Sequence, residues 1–180
     1  MPRKLRTWYP GATYHIYARG NRRSILFHNT QDYQKYLKIL EDVRENYPFV
    51  LHSYCLMTNH IHLQIETTTY HIQDIIKPLH MRYAMYLNRR LDLTGHVFQG
   101  RYGSSLINNT HSFLEVSRYI HRNPLEASMV KAMHDYPWSS YSSYINHISN
   151  PHVDSSKTYS FFQEPAHKNY QLFVEEEREK

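Results

Sequence analysis

The stretch from residue 49 to residue 66 constrains the fold more than any other part of the chain. Residues 49–57, Phe-Val-Leu-His-Ser-Tyr-Cys-Leu-Met, form an apolar strand candidate. Thr58-Asn59 is a tight turn, and residues 60–66 alternate as a further strand. Two strand patterns joined by so short a turn predict a hairpin. Residues 12–19 read as an earlier strand, ended by Gly20-Asn21. After Asn29-Thr30, Tyr33, Tyr36, Leu37, Leu40 and Val43 recur at helical spacing, and Pro48 closes that helix. Residues 71–92 carry a second apolar stripe, with Pro78 inside it as a point of kinking or division. Residues 95–107 read as extended, interrupted by Gly100 and Gly103. Thr110 is placed to cap a third helix, which Asn123-Pro124 breaks and residues 125–133 continue.

The order strand, helix, strand, strand, helix, strand, helix predicts an α+β fold of the split βαβ (ferredoxin-like or RRM-like) type, an antiparallel sheet with helices on one face. Many functions use that fold, so it assigns none. The functional domain is expected over residues 1–145. Residues 146–180 are polar and weakly patterned, a tail with one short helix.

The chain of 180 residues suits one domain with a proper core. No apolar run reaches the roughly 18 residues of a membrane span, and the basic start is not followed by an apolar signal core. A cytoplasmic protein is expected. Cys55 is the only cysteine, so no disulfide framework exists, and it reads as a buried thiol. Charge is uneven. Arg3, Lys4, Arg6, Arg19, Arg22 and Arg23 precede any acidic residue, and Arg82, Arg89, Arg90 and Arg101 form a second cluster. Glu175, Glu176, Glu177 and Glu179 sit at the far end. A basic body with interleaved aromatics suits a phosphate backbone, against the alternative of a merely solvated surface. The 17 tyrosines supply either base stacking or core volume.

His60-Ile61-His62 is the sharpest chemical feature. On a strand, residues two apart share a face, so both imidazoles converge on one point, as metal ligands must. Burying two histidines in an apolar strand without a use costs desolvation, although a hydrogen-bonded core pair is the plain alternative. Only Gln64 adds a ligand type on that face. Tyr119 and Asn123 are four apart on the third helix and share a side of it, a nucleophile and an amide ligand. Asn123-Pro124-Leu125-Glu126 also reads as a capping box, and spacing alone favours the cap. In residues 95–102, Arg101 could meet phosphate and Phe98 or Tyr102 a base, or the aromatics pack inward.

Four ordered blocks resemble the signature of the HUH single-tyrosine (Y1) transposases, closest to the REP-associated tyrosine transposases. They are Tyr14-His15-Ile16-Tyr17-Ala18-Arg19-Gly20-Asn21-Arg22, Tyr54-Cys55-Leu56-Met57-Thr58-Asn59-His60-Ile61-His62-Leu63, Gly95-His96-Val97-Phe98-Gln99-Gly100-Arg101-Tyr102 and Tyr119-Ile120-His121-Arg122-Asn123-Pro124. Tyr136-Pro137-Trp138-Ser139-Ser140-Tyr141 also fits, so the likeness spans about residues 10–144. It implies that Tyr119 is the nucleophile, that His60, His62 and Asn123 hold a divalent ion, Mg²⁺ or Mn²⁺, and that Asn123 is therefore ligand rather than cap. It implies that Arg19, Asn21, Arg22, Arg23, Phe98, Gln99, Arg101 and Tyr102 lie near DNA. The implied partner is single-stranded or hairpin DNA, with REP-like palindromes among the candidates, met in the cytoplasm as nucleoid DNA by a monomer or homodimer. The implied reaction cuts and rejoins a strand through a 5′-phosphotyrosine. Ser128 departs from the family, which carries glycine there; a helical position would suit serine better. A non-catalytic RRM-like binding module is the rival reading, and a metallohydrolase using water is a third.

Overall fold

The computed structural model describes residues 7–146 and 148–177. β1 (Thr13–Arg19) leads through a short 3₁₀ turn into α1 (Thr30–Asn46). β2 (Phe49–Met57) and β3 (His60–Thr67) follow, then α2 (Ile72–Leu91), β4 (Gly103–Ile107) and α3 (Thr110–Glu126). The sheet order is β2-β3-β1-β4, antiparallel throughout. This is the predicted split βαβ arrangement, with the predicted hairpin turning at Thr58-Asn59. Ile61, Leu63 and Ile65 of β3 and Tyr14, Ile16 and Ala18 of β1 join the core with α1 and α2. The alternate residues, His60, His62 and Gln64 beside His15, Tyr17 and Arg19, therefore face the other way. α3 lies across that second face over β2 and β3. The half over β1 and β4 stays open.

Several boundaries differ from the sequence reading. α2 runs unbroken through Pro78. The fourth strand begins only at Gly103, and residues 95–102 are a loop whose Phe98 bridges Gly20. Asn109, not Thr110, caps α3, its side chain accepting from the Ser112 N–H. α3 also continues past Asn123-Pro124 to Glu126, so Asn123 is inside a helix and caps nothing. The proline removes one ladder hydrogen bond, and only within the last turn.

The helix ends in a Schellman motif. Ser128 N–H donates to Leu125 C=O and Met129 N–H to Pro124 C=O. Ser128 has φ 55, the left-handed region that favours glycine. The expectation of a helical serine is thus overturned, since the position is the helix's left-handed terminus. Ser128→Gly is expected to raise stability by about 1 kcal/mol, read as a higher urea midpoint at unchanged slope.

Residues beyond 136 do more than trail. The outer edge of β2 would present unpaired backbone groups. Leu56 N–H donates to Trp138 C=O, Ser140 N–H to Tyr54 C=O and Asp154 N–H to Leu51 C=O, so this segment closes the edge. α4 (Tyr141–Ile145), α5 (Ser156–Tyr159) and α6 (Ala166–Glu175) follow. Tyr141, Tyr144, Tyr170 and Val174 form a second core with Met133. The stretch read as a polar tail with one short helix thus carries two helices. Its few apolar residues are spaced to pack, which its mean polarity hides. Tyrosine serves the interior first: Tyr14, Tyr36, Tyr83, Tyr141, Tyr144 and Tyr170 are fully buried. Cys55 is buried as expected, and burial pushes its thiol pKa up. Among the described residues, no helix is long and apolar enough to cross a membrane.

Candidate active site

The open half of the second sheet face holds a cavity of about 470 Å³. β3 supplies His60 and His62, β1 supplies His15, Tyr17 and Arg19, and α3 overhangs with Tyr119. The antiparallel register puts Tyr17 opposite His62 and Arg19 opposite His60, which gathers residues 45 and 41 positions apart onto one wall. The His60 and His62 rings are 5.2 Å apart and perpendicular at 87°. Tyr119, 47% exposed, stands edge-on to His62 at 5.3 Å and to His15 at 5.7 Å. Its ring is thus fixed by neighbours while its surface meets solvent.

Sequence reading missed His15. Its Nε2 lies 3.0 Å from His62 Nδ1, close enough that one proton is shared between two imidazoles. Burial pushes the His15 pKa down to about 4. Burial first, then His15, His60 and Arg19, push His62 down to about 3. Burial and Arg19 lower His60, against its contact with the Asn123 side-chain acceptor, which raises it. All three rings are therefore neutral at pH 7, the form that ligates metal. The alternation of His15, Tyr17 and Arg19 on β1 was visible. The strand pairing that brings them beside His62 was not.

Hydrogen bonds select the free ring nitrogens. His60 Nδ1 lies 2.7 Å from Asn59 Oδ1, an acceptor, so it carries the proton and Nε2 keeps its lone pair. A proton on His62 Nδ1, donated to His15, leaves His62 Nε2 likewise open. Asn123 donates through Nδ2 to Tyr119 C=O at 2.7 Å, so its Oδ1 remains as a ligand atom beside His60. Two neutral imidazoles and a carboxamide oxygen fit a divalent ion of borderline or hard character. Among the described residues, no group of three or more His, Cys, Asp or Glu side chains is placed to hold a metal. Gln64 is excluded as a ligand, because its amide accepts from Ser53 and donates to Phe113 C=O.

Arg19, Gln99 and Arg101 line the cavity, and Gln99 N–H donates to Arg19 C=O. Asn21, Arg22 and Arg23 form the 3₁₀ turn after β1. That turn packs at the His60 end, since Gly20 N–H donates to Asn59 C=O. Phe98 and Tyr102 are each only 9% exposed, and Phe98 stacks on His80 at 4.3 Å. Their ring faces are turned inward, the alternative that the sequence left open, because the loop needs an apolar anchor against α2. Gly103 serves the cavity floor. A Cβ there would meet the Tyr17 ring at 2.2 Å, so only glycine lets Tyr17 lie across β4.

α3 is held from behind. Tyr170 Oη lies 2.6 Å from Ser117 Oγ and 2.6 Å from His121 Nδ1, and His121 Nε2 lies 2.7 Å from Ser140 Oγ. Arg118 donates to the C=O of Phe173 and Arg122 to that of Val174, at the C-terminal end of α6.

The family description "Transposase IS200 like" matches residues 9–123, most of the chain and all of the site. The chain belongs to this family. Among solved structures, this transposase-family protein resembles one described as a REP-associated tyrosine transposase bound to a REP hairpin. That likeness has TM-score 0.70 and 21% identity, over 87% of this chain and 96% of the other. At that identity it establishes the fold alone. A Deinococcus radiodurans R1 structure, described as a transposase, is also 21% identical over 66% of this chain and 95% of its own. Its TM-score of 0.44 is too low to add to the fold assignment. No curated protein matches. The IS200-like match ends at Asn123, so Trp138, Ser140 and Asp154, which close the β2 edge, and α6, which backs α3, lie outside the matched region.

Proposed function

We propose that this transposase-family protein cuts and rejoins single-stranded or hairpin DNA through a covalent bond between Tyr119 and a 5′-phosphate. The observation that carries this is the exposed Tyr119 ring against the His15–His62 pair, in a cavity edged by Arg19 and Arg101. The Tyr119 oxygen attacks phosphorus, the P–O3′ bond breaks, and the leaving 3′-oxygen takes a proton. The 3′-OH of another strand reverses the step and restores the tyrosine, so no nucleotide cofactor is consumed. Arg19, Gln99 and Arg101 hold the backbone, and the turn at Asn21, Arg22 and Arg23 extends the basic surface. Phe98 and Tyr102 shape the loop from beneath.

His60, His62 and Asn123 would hold the divalent ion, Mg²⁺ or Mn²⁺. When bound, it supplies Lewis-acid polarisation of the scissile phosphate. His15 acts as a positioning residue through its contact with His62 Nδ1. His15→Phe keeps ring volume and loses that contact. It is expected to slow adduct formation about 10–100-fold and to recover in part at higher Mn²⁺, with hairpin binding retained. No change in rate, or a loss that Mn²⁺ cannot move, would place His15 outside this role.

The test uses labelled hairpin oligonucleotides with Mg²⁺ or Mn²⁺ on a denaturing gel. Label is expected to stay on the protein and to be lost with EDTA. Cleavage with all label free would indicate attack by water. Binding without cleavage across several hairpins would indicate a binding module.

A further inference from the structure

A second cavity of about 470 Å³ opens between α2 and the 95–102 loop. Its walls are apolar, from Ile76, Met81, Val97 and Phe98, while Lys77, His96 and Arg101 bring positive or titratable nitrogen and no carboxylate lines it. Its volume lies within the ~300–1,000 Å³ of small-ligand sites. Met81, which lines the cavity, is 54% exposed, so a soft thioether meets solvent at its wall. Arg101 lines both this cavity and the one holding His60, His62 and Tyr119. A strand gripped at Arg101 therefore has both cavities within reach.

We propose that this second cavity takes an unpaired nucleotide of the same DNA strand, its base against Met81 and Val97 and its phosphate against Lys77 and Arg101. The inference rests on the DNA-cleavage reading above. A planar, apolar-faced base joined to an anion matches both the walls and the charge. An apolar peptide would leave the cationic groups unanswered. The burial of Phe98 and Tyr102 closes off stacking on the loop's own surface and leaves the space beside them.

Abasic scanning of hairpin oligonucleotides with single-stranded flanks, read by fluorescence anisotropy on the full chain, tests this. The wild type is expected to lose about tenfold in affinity at one flank position, the worth of one stacked base. Met81→Glu, at an exposed position, is expected to bind the intact flank about tenfold more weakly and to lose nothing further at that abasic position. Equal sensitivity of wild type and Met81→Glu overturns the inference, as does a wild type insensitive at every position. Protein-bound label is followed in parallel. Label without a sensitive position overturns the cavity alone. A position sensitive in wild type and silent in Met81→Glu, without label, supports the cavity and overturns the cleavage reading.

Discussion

Tyr119→Phe is expected to reduce protein-bound label by at least about a thousandfold while leaving hairpin binding intact. The substitution removes only the oxygen proposed to attack. Losing the nucleophile of a covalent mechanism costs far more than losing a supporting contact. The ring itself, packed against His15 and His62, is kept, so the site should hold its shape. The informative control is Tyr17→Phe. Tyr17 is 45% exposed, lines the same cavity and lies 5.4 Å from His15, so it is the other hydroxyl that geometry offers. It lies across Gly103 of β4, whereas α3 packs over β2 and β3, and Asn123 does not stand one turn from it. Tyr17→Phe is expected to keep adduct formation. The opposite pattern would move the nucleophile to β1.

The second large effect is expected far from the cavity. Tyr170 is fully buried, and its hydroxyl serves both Ser117 and His121, on either side of Tyr119 in α3. Tyr170→Phe leaves those two groups without that partner in a dry site, at about 1–3 kcal/mol. Tyr170→Ala adds a void where an aromatic ring stood, and about 3–5 kcal/mol is expected in total. Against a whole-protein stability of ~5–15 kcal/mol, that is a large share. Because the lost contacts flank Tyr119, the proposed nucleophile, Tyr170→Phe should also slow adduct formation, by up to about 100-fold for a displacement near 1 Å. Urea unfolding and single-turnover labelling measure the two effects separately. An unfolding midpoint for Tyr170→Ala equal to that of the wild type would show that residues 166–175 do not support α3.

The hairpin and the histidine pair were legible because both are written in a period of two within one short stretch. Residues 49–66 contain their own turn, alternation and paired imidazoles. The helices followed from their apolar spacing. What stayed hidden depends on partners distant in the chain. His15 acquires its place only through the β1–β3 register, which no local pattern records. Phe98 and Tyr102 carry the same chemistry whether they face a base or His80, and only packing against α2 distinguishes the two. Asn123-Pro124 has the local signature of a helix start, yet α3 continues for three more residues and closes at Ser128. The C-terminal residues looked polar on average, while Tyr170 and Val174 are both fully buried in α6. Mean composition cannot reveal an interface made of so few positions.

The most direct measurement is peptide mapping by mass spectrometry after reaction with a hairpin oligonucleotide and Mn²⁺. A 5′-phosphonucleotide mass carried on the α3 peptide at Tyr119, absent when EDTA is present, is the predicted result. A cleaved oligonucleotide with no mass added to the protein, or with the mass on Tyr17, would contradict the assignment of Tyr119 as the nucleophile.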